Sequence, residues 1–184
     1  MSEPLPSKRR ALSLLVQSGC SPEVIRHCKA VAALAFKIAR ACKRRGLNVN
    51  IQLVEVGSLL HDIGRSRTHH VDHVIKGVEI AKSLNLPNSV VSIIERHVGG
   101  GITPDEAKKM GWPVKSYLPQ TIEEKIVNYA DKLIEGSHRV PIERTIQKFS
   151  IELGASHPSI KRMKELHDEF SSLIGDFDAK GHPT

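Results

Sequence analysis

The spacing of apolar residues constrains this chain most. Nearly everywhere they recur three and four positions apart, the period of a helix with one buried face. Val31, Leu34, Ala35, Ile38 and Ala39 follow that period after Ser21-Pro22-Glu23, which supplies an N-cap, a proline at the first helical position and an early acid. This segment predicts a long helix ending near Gly46. A second is expected from about Asn50 through Leu53, Val54, Leu59 and Leu60 to near Gly64. A third starts near Asp72, and a fourth follows Leu86-Pro87-Asn88 and stops at Gly99-Gly100-Gly101. Capping boxes at Thr103-Pro104-Asp105-Glu106 and Thr121-Ile122-Glu123-Glu124 open a short helix and a longer one running through Ile134. Pro141 and His157-Pro158 open the last two, and another helix covers Leu12 to Gln17. No stretch alternates with β-branched enrichment, so no sheet is expected. The fold class is therefore all-α, a single compact bundle of about seven to nine helices over residues 1–184. Residues 111–120 read as an irregular loop, and the end from Lys180 as frayed.

Several function classes are excluded or disfavoured. The longest apolar runs, such as Val31 to Phe36, fall far short of the ~20 residues that span a bilayer, so no membrane partner is expected. Met-Ser-Glu-Pro-Leu-Pro lacks the basic-then-apolar layout of a signal peptide, and a cytoplasmic location is expected. Cys20, Cys28 and Cys42 form no C-x-x-C pair and read as reduced thiols. Cys28 lies beside His27, yet it reads as a small buried hydrophobe rather than a nucleophile. The net charge of +7 favours anionic partners. The basic residues look scattered, in clusters at Lys8-Arg9-Arg10, Lys43-Arg44-Arg45 and Lys161-Arg162, and seven aromatics offer few stacking platforms. Nucleic acid is therefore possible as a partner but not favoured, and the sequence leaves the oligomeric state open.

Four residues carry the chemistry. His27 sits early on the long helix, His61-Asp62 lies just before Ile63-Gly64, and Asp131 sits in Asn128-Tyr129-Ala130-Asp131-Lys132. All four fall in or beside apolar stretches. A carboxylate at the edge of a core face is destabilising unless something compensates it. Two carboxylates and two imidazoles compensate one another by holding one divalent metal, and without thiolate that donor set accepts Mn, Fe, Ni, Co or Zn. Helices of a bundle project such ligands inward from separate segments.

His61-Asp62-Ile63-Gly64-Arg65 resembles the signature of the HD superfamily of metal-dependent phosphohydrolases, in its His-Asp-Ile-Gly branch. Around it stand an upstream helical His (His27), a downstream helical Asp (Asp131), His73-Val74-Ile75-Lys76-Gly77 and Ile94-Glu95-Arg96-His97. The resemblance covers about residues 20–136, with the helices of about 141–176 expected to pack on that core. It implies one metal at His27, His61, Asp62 and Asp131. Two-metal members use further histidines, matched here by His73 and His97, with Asp62 then bridging. Many of those members carry His-His where this chain has His97-Val98, so the second ion stays open. His69 and His70 read as surface or supporting residues. Asp62 and Arg65 are the residues put forward for catalysis, and Arg65 is read either as a phosphate-steadying cation or as a solvent-facing helix-end cation. Lys132 is expected to face another azimuth than Asp131. Gly99-Gly100-Gly101 reads as a helix cap and linker or as a loop over the pocket. The implied activity is hydrolysis of a phosphoester in a nucleotide or other small phosphorylated compound. The alternatives are a non-catalytic module that binds metal or nucleotide and, last, a protein that binds or processes nucleic acid.

Overall fold

A computed structural model describes residues 4–175. The expected end of the last helix at 176 and the fraying from Lys180 lie outside those residues. Nine helices appear among them: α1 (Lys8–Gln17), α2 (Pro22–Arg44), α3 (Ile51–Leu60), α4 (His73–Ser83), α5 (Asn88–Arg96), α6 (Pro104–Lys109), α7 (Ile122–Lys132), α8 (Ile142–Leu153) and α9 (Pro158–Ile174). A 3-10 turn, Ile63–Ser66, sits between α3 and α4. The caps follow the sequence logic. Ser21 accepts from Val24 N at the start of α2, and Thr103 and Thr121 each close a full capping box.

The expectation of no sheet needs correcting. α7 stops at Lys132, and the chain turns into a hairpin of β1 (Ile134–Glu135) and β2 (His138–Arg139), paired Ile134 with Arg139 and Glu135 with His138. Gly136, at φ 60°, makes the turn. Two residues per strand are too few to show as alternation.

α2 is the central element, packed against α3 and α7. Its buried face, including Val31, Ala35, Ile38 and Cys42, joins Val54, Ile93, Ile126, Val127 and Tyr129 in one core. Ile142, Leu166 and Phe170 close the same cluster from α8 and α9. A second cluster joins α1 to α3, α4 and α5 through Leu14, Leu15, Leu59, Leu60, Val78 and Ile94. The 111–120 loop is irregular as expected, yet anchored: Trp112 and Tyr117 bury against Val74, Ile102 and Ala107.

The second helix ends earlier than its apolar period suggests, at Leu60 rather than near Gly64. The 3-10 turn instead docks on the start of α4. A Cβ on Gly64 would lie 1.9 Å from the carbonyl oxygen of His73 and 2.5 Å from the nitrogen of Gly77, so only glycine permits this approach. Asp62 is thereby carried to the N-terminus of α4, beside His73.

The basic residues converge more than the sequence suggests. Lys8, Lys29, Lys37, Arg40 and Arg44 line one groove of ≈ 850 Å³ along α2, with Phe36 in its wall and Glu55 as its one acid among the described residues. Among the described residues, no helix is long and apolar enough to cross a membrane.

Candidate metal centre

Six side chains from six elements meet in one region. His27 comes from α2, His61 caps α3, Asp62 opens the 3-10 turn, His73 begins α4, His97 caps α5 and Asp131 lies one residue from the end of α7. Asp62 lies at the middle. Its Oδ2 faces His27 Nε2 at 3.7 Å and His61 Nε2 at 3.6 Å, while its Oδ1 faces His73 Nε2 at 3.1 Å and His97 Nε2 at 3.3 Å. Asp131 Oδ1 lies 3.0 Å from His27 Nε2 and 3.4 Å from His61 Nε2.

The four rings, though tilted to one another, each turn Nδ1 outward to a carbonyl and Nε2 inward. The Nδ1–H of His61 donates to Ser58 O, that of His73 to His70 O and that of His97 to Ile94 O, each at 2.7 Å, and that of His27 donates to Gly136 O at 2.8 Å. A carbonyl only accepts, so every Nδ1 carries the proton and every Nε2 of a neutral ring presents a lone pair inward. The hairpin thus has a purpose at the site, since it delivers the Gly136 carbonyl that orients His27.

The centre is consequently rich in acceptors and short of donors. His73 Nε2 and His97 Nε2 face each other at 3.1 Å, and His61 Nε2 and Asp62 Oδ1 are buried without a hydrogen-bond partner. Facing lone pairs repel unless positive charge lies between them. Burial, together with the neighbouring His61 and His73, lowers the pKa of His97 to about 4 against the pull of Asp62, so this ring is neutral near pH 7. Burial lowers the pKa of His27, but its contacts with Asp131 and Asp62 outweigh that and raise it. Burial alone would raise both carboxyls. The imidazoles around Asp62, and Lys132 with the imidazoles around Asp131, hold them well below the usual range. Two donor sets are close enough to hold an ion, with ligand atoms within 4.8 Å of one another: His27, His61 and Asp131, and His61, Asp62 and His97. Nitrogen and oxygen donors with rings pinned from behind suit a divalent transition ion.

One oxygen of each carboxylate accepts from a cation. Arg65 Nε donates to Asp62 Oδ2 at 2.6 Å, and its Nη1 donates to His69 O at 3.3 Å. Arg65 is therefore neither a free helix-end cation nor an unengaged phosphate binder; it stands at the cleft wall, tied to the central carboxylate. His69 and His70 are exposed and offer the site backbone carbonyls. Lys132 starts from another azimuth than Asp131, as expected, yet its ammonium reaches the site. It is 4% exposed and donates from Nζ to Asp131 Oδ2 at 2.7 Å and to His97 O at 2.9 Å. It belongs to a polar stripe of α7 at i, i+4 and i+8. Glu124 pairs with Arg96 at 2.9 and 3.0 Å, and Asn128 donates to Arg96 O at 2.9 Å. This stripe satisfies the C-terminal carbonyls of α5 and so fixes His97. Its sequence signal is the i, i+4, i+8 spacing of Glu124, Asn128 and Lys132, interleaved with the buried Ile126, Val127, Tyr129 and Ala130.

A cleft of ≈ 840 Å³ opens over the centre, lined by His27, Asp62, Arg65, His73, His97, Asp131 and Lys132 on its floor and by residues of the hairpin and α8 on its wall. The Gly99-Gly100-Gly101 run is a close crossing rather than a loose linker. Gly100 N donates to Ser159 Oγ at 3.1 Å, and a Cβ there would lie 2.7 Å from Arg162 Cβ.

The sequence model of the HD domain family matches residues 24–136. An uncharacterized protein of Methanocaldococcus jannaschii is 49% identical over 165 residues, covering 90% of this chain and 97% of that protein. A tRNA (cytidine(56)-2'-O)-methyltransferase of Picrophilus torridus is 40% identical over 173 residues, which is 93% of this chain but 48% of that enzyme. A ribonuclease Y of Finegoldia magna is 30% identical over 130 residues, 68% of this chain and 21% of that protein. The chain thus spans about half the length of the methyltransferase and less of the ribonuclease. The HD domain of the L. monocytogenes phosphodiesterase PgpH, solved with cyclic-di-AMP, shares the fold at a TM-score of 0.53 and 20% identity, over 95% of this chain and 100% of that one.

Proposed function

The chain belongs to the HD-domain family, and from that premise we propose that it is a metal-dependent phosphohydrolase acting on a nucleotide or another small phosphorylated compound. One observation carries this reading: the Nε2 atoms of four imidazoles and the oxygens of two carboxylates crowd one buried region, where His73 Nε2 and His97 Nε2 face each other at 3.1 Å and His61 Nε2 and Asp62 Oδ1 have no hydrogen-bond partner. His27, His61 and Asp131 would hold one ion, His73 and His97 would serve a second, and Asp62 turns an oxygen toward each group. When bound, divalent ions lower the pKa of a coordinated water and neutralise charge on phosphoryl oxygens.

The chain's own residues do the remaining work. Arg65 and Lys132 hold the two carboxylates in place and add positive charge to a floor that must accept a phosphate. The pinned Nδ1 atoms keep the Nε2 lone pairs inward. The cyclic-di-AMP held by the PgpH domain and the ribonuclease name both favour a nucleotide phosphoester as the bond cleaved. The methyltransferases are about twice as long as the segment they share with this chain, so their name does not fix what that segment does.

The test is elemental analysis of the purified protein together with a phosphate-release panel on protein loaded with Mn, Fe, Ni, Co or Zn. Wild type should retain transition metal and hydrolyse a member of a panel of mononucleotides, cyclic dinucleotides and sugar phosphates. Asp62→Ala should lose both metal and turnover while keeping its helical circular dichroism. Retained metal with no cleavage across the panel would overturn the enzyme reading in favour of a non-catalytic metal- or nucleotide-binding module.

A second reading, an RNA-binding module, is favoured by the basic groove along α2. No carboxylate lies within ion-pair distance of Lys29, Lys37, Arg40 or Arg44 among the described residues, and the relatives named above include RNA-directed enzymes. Its test is the salt slope of RNA binding, which must steepen with the number of phosphates contacted and flatten in Lys37→Ala/Arg40→Ala.

A further inference from the structure

The α8 side of the cleft wall lies outside the family segment, and its composition is specific. α8 begins at Ile142, beyond the matched residues 24–136. Arg144, Thr145, Lys148, Phe149 and Glu152 all line the cleft. Their spacing of i, i+1, i+4, i+5 and i+8 puts them on one face of the helix. Ile142 and Ile146 hold the other face to the core. Thr145 Oγ1 donates to Lys132 O at 2.6 Å, which ties the wall to the residue beside Asp131. The separation of wall and metal floor is thereby set.

Phe149 is out of place in folding terms. It is half-buried and belongs to none of the three apolar clusters, and it is the one aromatic carbocycle lining the cleft among the described residues. It lies against Gly99, where a Cβ would meet its Cε1 at 4.0 Å, two residues beyond His97. Beside it, Arg144 and Lys148 share one partly exposed carboxylate, Glu135, at 2.7 and 3.9 Å. Glu152 is a second acid on this wall, and exposed pairs such as those on Glu135 are weak enough for a phosphate to displace.

We propose that α8 is the recognition wall of this cleft, with Phe149 stacking on a nucleobase and Arg144 and Lys148 gripping a phosphate, so that the ligand class is the nucleoside phosphates rather than base-free phosphoesters. The proposal deepens the hydrolase reading and rests on it only for placing the scissile phosphate on the metal floor. A ring face supplies affinity that depends on the base, and cations supply affinity that does not.

Titration calorimetry of the full chain with AMP and with ribose 5-phosphate separates the two. Wild type should bind AMP more tightly. Phe149→Ala should weaken AMP about tenfold, the order expected of one stacked base, and change ribose 5-phosphate by less than about twofold. Phe149→Tyr should restore AMP binding. Arg144→Ala/Lys148→Ala should weaken both ligands. Equal affinity of wild type for the two ligands, a Phe149→Ala effect shared by both, or no AMP binding at all overturns the proposal. The hydrolase reading fails separately: base-dependent binding without turnover sinks that reading and upholds the wall, whereas equal turnover of AMP and ribose 5-phosphate, unchanged in Phe149→Ala, does the reverse.

Discussion

Gly64→Ala tests the packing that carries Asp62 to His73. The added methyl would lie 1.9 Å from His73 O, 2.5 Å from Gly77 N and 2.9 Å from His73 C. Ordinary contact begins near 3.4 Å, so the 3-10 turn and the start of α4 must separate by about 1.5 Å. All three neighbours are backbone, and no rotamer change relieves them. Overpacking costs about 1–3 kcal/mol where side chains can yield, and the upper end, about 3 kcal/mol, applies here. With a urea slope of about 2 kcal/mol/M, the unfolding midpoint falls by about 1.5 M. Two other glycines calibrate the result. A Cβ on Gly77 meets Ile94 Cγ2 at 2.8 Å and Gly64 N at 3.4 Å, and one on Gly57 meets Ile93 Cδ1 at 2.4 Å, Cγ2 at 3.0 Å and Cβ at 3.3 Å. The tightest contacts at both are side-chain atoms, and both positions are helical, so alanine there regains about 1 kcal/mol of helix propensity. Urea melts followed by circular dichroism should place the loss of Gly64→Ala above those of Gly77→Ala and Gly57→Ala. A Gly64→Ala midpoint within 0.5 M of wild type, or one no lower than that of Gly57→Ala, refutes the reasoning.

Three further outcomes are expected. Burial would raise the pKa of Glu106, but its bonds to Thr103 N at 2.8 Å and Arg162 at 2.8 and 2.9 Å depress it. A depressed folded-state value gives stability that is present above the unfolded carboxyl's range and lost as pH falls through the folded value. Glu106→Gln should therefore cost about 1–2 kcal/mol at pH 7 and less toward pH 3, and a pH-independent loss in chemical melts would count against this. Burial pushes the thiols of Cys20 and Cys42 up to about 11 and that of Cys28 well above its usual value. A thiolate reagent at pH 8 should label none of the three in the native protein and all three in guanidinium; rapid native labelling contradicts the burial. Lys132→Met leaves Asp131 Oδ2 and His97 O without their donor and should cost about 3 kcal/mol, about 6–12 °C in Tm, so an unchanged calorimetric melt would remove Lys132 from the site.

The parts of this molecule legible in the sequence are those fixed by near neighbours. Thr103 and Thr121 announced their helices because a capping box closes within four residues. The ordered His and Asp positions were legible through the resemblance, although their convergence is a tertiary fact. What escaped depends on distant partners. Ile134 continues an apolar helical period, yet the chain leaves the helix for a hairpin whose Gly136 carbonyl is needed by His27. Lys132 is one residue, and so about 100°, from Asp131 on an ideal helix, but its long stem curls back at a helix end where the carbonyl of His97 waits. The glycine run gave no hint of α9, whose Ser159 and Arg162 require it to lie close. Lys8 and Arg44 share a groove only because α1 packs beside α3 and α2.

Three of the four imidazoles take their aim from a carbonyl three residues earlier in their own chain. Each ring is set by its local turn, much as a gear tooth is cut before the gearbox is assembled. Distortion elsewhere in the bundle reaches such a ring only by moving its whole helix end. Damage to the distant core should therefore show first as lost heat resistance, with the inner coordination geometry surviving until the fold itself gives way.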